Sequence, residues 1–341
     1  MKKIKKGYIL TSAAFSLNSN QLKYYLESNK KPEIGDVVYG EITHIGQHSN
    51  LENKSGRIHQ IHNGTKAIFV FGNRYAPDYY EAFIPEHFTA DIDLVARGGL
   101  IAQVITKNSN IKDPSRVSIL GYVCDNNGEI INTLNNSLIN PKKIEKNFPR
   151  SKMILVCGTS MNSGKSVAAA SICWILTTLG YKVRGSKVTG TASLKDILHM
   201  NDAGAEYYSD FTYTGFPSTY MLSDEQILEV FNKLDLKYAN NPQNYWVVEF
   251  ADGINQRETE FLLKNPIVRD RIHRLVFCAN DTFGAIGGIK YLNDFLDLKP
   301  DILSGICTSS PLYIKELQKV SDIPIFDSLN FEIDCIKGEL L

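Results

Sequence analysis

The feature that most restricts the fold is a run of three segments between residues 152 and 180. The apolar segment "MILVC" predicts a buried β-strand, and "SVAAASICWILTTLG" predicts a helix. The connection between them is "GTSMNSGKS", residues 158–166. Because ligands of parallel α/β sheets bind where strands end, this order predicts an α/β domain with a ligand site at the loop.

The loop contains residue types suited to holding phosphate groups. Glycines let backbone N–H groups point at an anion, a helix start favours negative charge, a lysine reaches terminal phosphates and a hydroxyl binds Mg²⁺. Gly158, Gly164, Lys165 and Ser166 supply these groups. The next residue, Val167, has no hydroxyl to add to this set. We therefore predict a Walker A-type loop whose cofactor-binding residues are Gly158, Thr159, Ser160, Met161, Asn162, Ser163, Gly164, Lys165 and Ser166.

The spacing of this loop differs from the usual pattern. About four residues ordinarily separate the two glycines, whereas five, residues 159–163, separate Gly158 from Gly164. Plain capping of a helix by Gly-Lys-Ser is the structural alternative. Strand, loop and helix all fall where phosphate binding requires them, so the extra residue indicates a subset of phosphate loops.

The rhythm of the sequence divides the chain into two parts. Residues from about 33 to 134 form short apolar segments between Gly, Asn and Asp turns, which predicts a small β-barrel or sandwich. Its opening "GDVVYGEITHIG" resembles an OB- or S1-like barrel. After residue 152, apolar runs alternate with amphipathic stretches, as in a mostly parallel sheet with helices on both faces. We predict a barrel-like domain over residues 1–135, a linker over 136–151 and a P-loop α/β domain over 152–341.

The charge balance and the cysteines argue against nucleic-acid binding, membrane binding and a disulfide-bonded secreted protein. Lys and Arg together number 37, as do Asp and Glu, so no bulk charge attracts nucleic acid or an anionic membrane. The basic N-terminus makes a poor signal peptide, and no apolar run of about 18 residues is present. The six cysteines lack CxxC spacing and fit a reducing compartment. We expect a cytoplasmic homo-oligomer with a small-molecule substrate and neither nucleic acid nor membrane partners.

Four histidines in the first part suggest a metal site. On a strand, however, His59 and His62 would point to opposite faces, and no thiol or carboxylate completes a recognisable spacing with His44 and His48. We do not predict a metal site there.

If the loop binds a nucleotide with Mg²⁺, carboxylates should lie at the ends of neighbouring strands, because Mg²⁺ prefers carboxylate, water and phosphate oxygens. The segment "WVVEFADG" places Glu249 at the end of an apolar strand and Asp252 three residues later. Asp196 lies in "SLKDILHMNDAGA", and Lys187 lies near the end of the strand-like "KVRGSKV". A strand cap, a charge favoured by a helix dipole and a solvated lysine are the respective structural alternatives.

These motifs resemble those of known P-loop enzymes. The loop is similar to the "GTxxxxGK[ST]" loop of dethiobiotin synthetases, and "VVEFADG" is similar to their "VVEGAGG". The resemblance implies that Ser166, Asp196 and Glu249 hold the metal and that Lys187, like Lys165, reaches the reacting phosphate. Over residues 152–330, the combined string also resembles a P-loop family that includes D-glutamate N-acetyltransferases. Those enzymes carry a Rossmann-like N-terminal half, whereas this chain has a barrel-like pattern.

Several polar residues could orient a small anionic substrate or the nucleotide base. Helix caps and surface turns use the same residue types, so these assignments compete with structural roles. The predicted substrate residues are Thr189, Ser218, Thr219, Tyr220, Asp252 and Arg257. Thr308 in "GICTSSP" is the predicted contact to the nucleotide base.

Together these observations predict an enzyme that uses Mg-ATP, or another nucleoside triphosphate, to phosphorylate or activate a small carboxylate or amine. Lys165 and Lys187 would be its catalytic residues, since charge stabilisation dominates phosphoryl transfer. Two alternatives stay open. The loop could hold the phosphates of acetyl-coenzyme A in an N-acyltransferase, or the protein could be a nucleotide-switched binding or chaperone protein.

Overall fold

A computed structural model describes all residues from 1 to 341. The chain forms two compact units. The first consists of Met1–Ile139, Gly190–Lys195 and Phe211–Met221, and the second of Asn140–Thr189, Asp196–Asp210 and Leu222–Leu341. The predicted domain boundaries did not include the two short segments of the first unit that come from the second half of the chain.

The first unit is built from β-strands. In chain order they are β1 (Lys2–Lys3), β2 (Ile9–Leu10), β3 (Tyr24–Leu26), β4 (Val37–His44), β5 (Asn50–Glu52), β6 (Ile58–Gln60), β7 (Lys66–Phe71), β8 (Arg74–Tyr75), β9 (Tyr80–Phe83), β10 (Asp91–Ala96), β11 (Leu100–Lys107) and β12 (Ser115–Cys124). Five of them pair in a closed ring in the order β4, β7, β11, β10, β12 and back to β4. All pairs of the ring are antiparallel except β7 with β11. The resemblance to an OB-like barrel is not confirmed by this ring and stays a prediction.

Strand β7 explains how this ring is packed. Its sequence "KAIFVF" is apolar on both faces, and five of its six residues are buried. Phe69 and Phe71 belong to one core, while Ile68 and Val70 belong to a second core with Leu17 from the N-terminal segment. A strand that is covered on both faces reads as a continuous apolar run, which is what the sequence has here.

The two short segments from the second half of the chain are anchored in the first unit by specific contacts. The backbone N–H of Leu194 donates to the buried carboxylate of Glu52 over 2.7 Å. The ring of Tyr213 stacks on Phe15 with centroids 4.7 Å apart. These contacts complete the first unit with residues that are distant from it in sequence.

The second unit is a parallel α/β sheet. Its strands are β13 (Lys152–Gly158), β14 (Lys182–Lys187), β15 (Tyr207–Asp210), β16 (Asn244–Glu249), β17 (Ile272–Cys278) and β18 (Ile302–Ser304), in the spatial order β15-β14-β16-β13-β17-β18. All neighbouring strands are parallel. The helices are α1 (Lys165–Thr178), α2 (Lys195–Asp202), α3 (Asp224–Tyr238), α4 (Arg257–Lys264), α5 (Pro266–Arg269), α6 (Thr282–Leu296), α7 (Pro311–Leu317) and α8 (Ile333–Leu340). This arrangement confirms the predicted α/β class of the second part of the chain.

Not every apolar run in this part of the chain forms a strand, and not every strand contains an apolar run. The run "IPIFD" forms no strand, and only Ile325 bridges to Leu303. The edge strand β15, Tyr207–Asp210, was not predicted, because its sequence "YYSD" contains no apolar run. The longest helices have 15 residues, and none combines the length and apolarity needed to cross a membrane.

Candidate functional site

The predicted phosphate loop leaves the sheet at the end of β13 and enters α1 directly. Gly164 has a φ of 92°, which favours glycine, and a Cβ there would lie 2.8 Å from the Cα of Gly305. A Cβ on Gly158 would lie 2.5 Å from the Oγ of Ser163 and 2.6 Å from the carbonyl oxygen of Cys278. Both glycines are therefore required by close approaches within the loop and to its neighbours.

The start of α1 is not capped by a side chain. Gly164 is its N-cap, no side-chain hydrogen bond caps the helix, and its first turn contains no acidic residue. The first N–H groups of an α-helix have no partner within the helix and carry the positive end of its dipole. Because the hydroxyl of Ser166 donates to Glu249 over 3.3 Å instead of capping the helix, the geometry disfavours the plain capping alternative.

Position 167 adds no side-chain ligand to this helix start. A serine there would have supplied a second hydroxyl next to Ser166, but the residue is Val167. It is the third residue of α1, is half-buried, and has no side-chain oxygen or nitrogen with which to bind phosphate or metal. The side-chain ligands of the loop therefore end at Ser166.

Lys165 is folded into the loop. Its side chain donates to the carbonyl oxygen of Ser160 over 2.6 Å and to the Oγ of Ser163 over 3.3 Å, and the residue is only 5% exposed. Burial lowers the pKa of Lys165, while the carboxylates of Glu249 and Asp252 act in the opposite direction. The ammonium group of Lys165 is thus held by the loop itself, through Ser160 and Ser163.

Glu249 lies at the carboxyl edge of the sheet beside the loop. It is the last residue of β16 and is paired in register with Lys187, the last residue of β14. Its side chain is buried, and its Oε2 atom has no hydrogen-bond partner. Burial raises the pKa of the Glu249 carboxyl, opposed by the nearby charge of Lys187. A buried carboxylate oxygen without a partner is costly unless a ligand satisfies it.

Lys187 connects the two predicted metal carboxylates. Its ammonium group forms an ion pair with Asp196 in the first turn of α2 and lies 3.7 Å from Oε1 of Glu249. Although burial disfavours its charge, Asp196 and Glu249 outweigh this effect and raise the pKa of Lys187 above its usual range. The structure therefore brings Lys165, Ser166, Lys187, Asp196 and Glu249 to one edge of one sheet.

The residues of this cluster fit a magnesium ion that arrives with phosphate oxygens. Glu249 offers a buried carboxylate oxygen that has no other partner, and Ser166 offers a hydroxyl beside it. No group of three or more His, Cys, Asp or Glu residues is arranged to hold a metal by itself. Mg²⁺ characteristically binds through one or two carboxylates together with water and substrate phosphates. The available ligands match that kind of site.

Three predicted site residues have polar groups that are engaged in the framework. The hydroxyl of Thr189 accepts the N–H of Ala251 over 2.7 Å and is buried. The hydroxyl of Thr308 donates to the carbonyl oxygens of Gly305 and Phe326, so its geometry does not favour the predicted contact to a nucleotide base. The remaining residue of this group is Arg257, which donates to Leu222 O and to the carboxylate of Glu258.

The other predicted substrate residues are divided between the units. Ser218, Thr219 and Tyr220 belong to the first unit, where Thr219 accepts the N–H of Gly190 over 2.8 Å and Tyr220 donates to Glu81 over 2.7 Å. Asp252 belongs to the second unit and has a φ of 60° just after β16. Its charge acts on both Lys165 and Lys187, so it belongs to the same electrostatic cluster as the loop.

Two residues that were not predicted from the sequence, Asn280 and Ile306, donate hydrogen bonds to the phosphate loop. The amide of Asn280 donates to the hydroxyl of Ser160 over 3.0 Å, and the N–H of Ile306 donates to the carbonyl oxygen of Ser163 over 3.2 Å. Asn280 follows β17, which pairs with β13, and Ile306 follows β18, which is the next strand beyond β17. Strand order could not be read from local sequence, although the position of "CAND" after a strand was a usable signal.

Comparison with known proteins adds little to this geometry. No protein-family model and no curated protein matches the chain. Among solved structures, FtsY from Mycoplasma mycoides is 17% identical over 58% of this chain and 69% of that chain, with a TM-score of 0.35. Signal recognition particle receptor FtsY from Elizabethkingia anophelis in complex with GDP is 10% identical over 57% of this chain and 65% of that chain, with a TM-score of 0.38. TM-scores this low do not establish a shared fold. The second unit is a parallel α/β sheet in which the loop of residues 158–166 connects β13 to α1.

Proposed function

We propose that the protein binds a magnesium–nucleoside triphosphate at residues 158–166 and transfers a phosphoryl group to a small carboxylate or amine. The observation that carries this proposal is the buried Glu249 carboxylate, which lies beside the hydroxyl of Ser166 at the start of α1 and has an unsatisfied oxygen. That pair is suited to a metal ion that accompanies phosphates.

Each residue of the cluster has a distinct part in the proposed reaction. The N–H groups of the loop and of the first turn of α1 would bind the phosphate oxygens. Lys165 would leave its contacts with Ser160 and Ser163 to bind the terminal phosphates, and Ser166 with Glu249 would hold the metal, assisted by Asp196. Mg²⁺, when bound, would neutralise part of the negative charge on the transferred phosphoryl group. Catalysis of this kind depends on positioning and electrostatic stabilisation.

A phosphoryl-transfer role also accounts for a second lysine at the same edge. Lys187 is one strand away from the residues that would hold the metal and is charged. In the dethiobiotin synthetase-like motif that this segment resembles, the equivalent lysine reaches the reacting phosphate and the substrate. We therefore favour a ligase- or kinase-type reaction, with ATP or another nucleoside triphosphate as donor.

Glu249 also distinguishes this proposal from coenzyme A binding. Coenzyme A would bring phosphates to the loop without a metal, and a buried carboxylate would repel them. If a triphosphate brought a metal ion to the loop, the same Glu249 carboxylate would serve as a ligand of that metal. The acyltransferase alternative therefore makes less use of the residues at this edge.

Calorimetric titration with ATP, GTP and acetyl-coenzyme A, each with and without Mg²⁺, tests the proposal. We expect magnesium-dependent nucleotide binding that weakens about 10- to 150-fold in Lys165→Ala, the equivalent of about 1.5–3 kcal/mol for a hydrogen bond to a charged group. Lys182→Ala is the matched control, because Lys182 is the exposed first residue of β14. Magnesium-independent binding of acetyl-coenzyme A alone would overturn the proposal.

A further inference from the structure

Lys187 lies against both carboxylates that we propose as ligands of the metal. Its ammonium group forms an ion pair with Asp196 and lies 3.7 Å from Oε1 of Glu249. The same Oε1 accepts the hydroxyl of Ser166. The two proposed carboxylate ligands therefore already have a cationic partner that the chain itself provides, and Ser166 contacts one of them.

An ammonium group and a divalent cation compete for these oxygens. Both are positive, so a metal ion cannot share the two carboxylates with Lys187 at close range without strong repulsion in this buried setting. The side chain of Lys187 is 12% exposed and that of Asp196 is 18% exposed. The pair is thus mostly buried but still reaches solvent, and the four-carbon stem of the lysine is flexible enough to change rotamer.

The phosphates of a nucleotide offer Lys187 another anionic partner. If the ammonium group moves to the terminal phosphate, the carboxylates are released for the metal, and each charge keeps an opposite charge beside it. A metal ion that arrives without phosphates would leave the displaced lysine without such a partner.

We propose that Lys187 occupies the metal carboxylates until the nucleotide binds, so that the protein binds a divalent cation tightly only together with nucleotide. This inference rests on the proposed function and adds to it an order of events. Lys187 acts as a positioning residue for Asp196 and Glu249 before it reaches the phosphate.

The test measures binding of Mn²⁺ by the electron paramagnetic resonance signal of the free ion, with and without a non-hydrolysable ATP analogue. We expect wild-type protein to bind Mn²⁺ weakly alone and at least tenfold more tightly with the analogue. Lys187→Met removes the competing charge, so it should bind Mn²⁺ alone at least tenfold more tightly than wild type. Lys182→Met, on the same strand, should behave as wild type.

A second variant changes metal binding in the opposite direction. In Lys187→Arg a guanidinium can hold a carboxylate through two hydrogen bonds, so more Mn²⁺ should be needed to support analogue binding. This variant keeps the charge and decides the question if Lys187→Met does not fold. Equal Mn²⁺ affinity of Lys187→Met and wild type, or an unchanged Mn²⁺ requirement of Lys187→Arg, would overturn the inference.

Failure of the proposed function gives a different pattern. If neither wild type nor any variant binds the ATP analogue while Lys187→Met still gains Mn²⁺ affinity, the proposed nucleotide binding is rejected. The part of this inference that couples metal binding to nucleotide is then rejected as well. If wild type binds the analogue with Mn²⁺ but Lys187→Met gains nothing, only the inference about Lys187 fails.

Discussion

Gly164→Ala and Gly180→Ala together test whether the close approach of the backbone at Gly305 to the phosphate loop contributes to the stability of the protein. Gly164 precedes α1 and Gly180 follows it, with φ values of 92° and 86°. Placing a side chain at a left-handed φ costs about 1–2 kcal/mol at either position. The two sites differ in their surroundings. A Cβ at Gly180 meets nothing within 4 Å, whereas a Cβ at Gly164 would lie 2.8 Å from Gly305 Cα.

The extra cost at Gly164 follows from this contact. Backbone atoms cannot rotate away, so the loop or the segment at Gly305 must move, and forced overpacking typically costs about 1–3 kcal/mol. We therefore expect Gly180→Ala to lower the free energy of unfolding by about 1–2 kcal/mol and Gly164→Ala by about 2–5 kcal/mol. Only Gly164→Ala should also weaken nucleotide binding, because it displaces the loop.

Urea unfolding followed by tryptophan fluorescence measures this difference. Both tryptophans of the chain, Trp174 and Trp246, belong to the second unit, so the signal reports the unit that contains the loop. Equal losses of stability in the two variants would show that the approach of Gly305 to the loop has no energetic weight and would refute the reasoning.

Three further predictions concern other parts of the chain. Trp246→Phe should cost about 2 kcal/mol in urea unfolding, since the fully buried indole donates to Ser186; Trp174→Phe, at a side chain 53% exposed, should cost less than about 0.5 kcal/mol. A thiol reagent should modify one cysteine of the native protein, Cys335, because the other five are buried, and reaction of several thiols would contradict the packing. Burial, aided by the Arg74 guanidinium, lowers the pKa of His48 to about 3. The unfolded chain therefore takes up this proton first, and stability should fall as pH drops from about 6.5 towards 3, by no more than about 5 kcal/mol. The loss should be smaller in His48→Gln, and an unchanged pH profile would contradict it.

The positions of the loop residues and of Glu249 could be predicted because a short stretch of sequence around each of them indicates the local structure. The strand, loop and helix around Gly158 and Lys165 are recognisable because one continuous stretch carries all of their signals. Glu249 was predicted to lie at the end of a strand because a carboxylate directly follows an apolar run, and it is the last residue of β16. For each of these residues, the neighbouring sequence indicates where it lies relative to a strand or helix, and the residue type indicates what it could bind.

The supporting contacts and the division into units could not be predicted in this way. Asn280 and Ile306 contact the loop because they follow β17 and β18, the first and second strands on one side of β13, and strand order depends on the whole sheet. Thr189 and Thr308 were predicted as ligand contacts, yet their hydroxyls bond to the backbone. A threonine after a strand looks the same in sequence whether its hydroxyl faces a ligand or the backbone.

The return of the chain to the first unit has a consequence for synthesis of the protein. Ile139 ends the main part of that unit, but its last segment ends at Met221, 82 residues later (140–221). At a translation rate of about 5–20 residues per second, about 4–16 s separate the two points. Within that interval Glu52 waits for Leu194, and Phe15 waits longer for Tyr213, the residues that contact them in the finished protein. The N-terminal unit, although made first, therefore completes its packing only after the phosphate loop of the second unit has been synthesised.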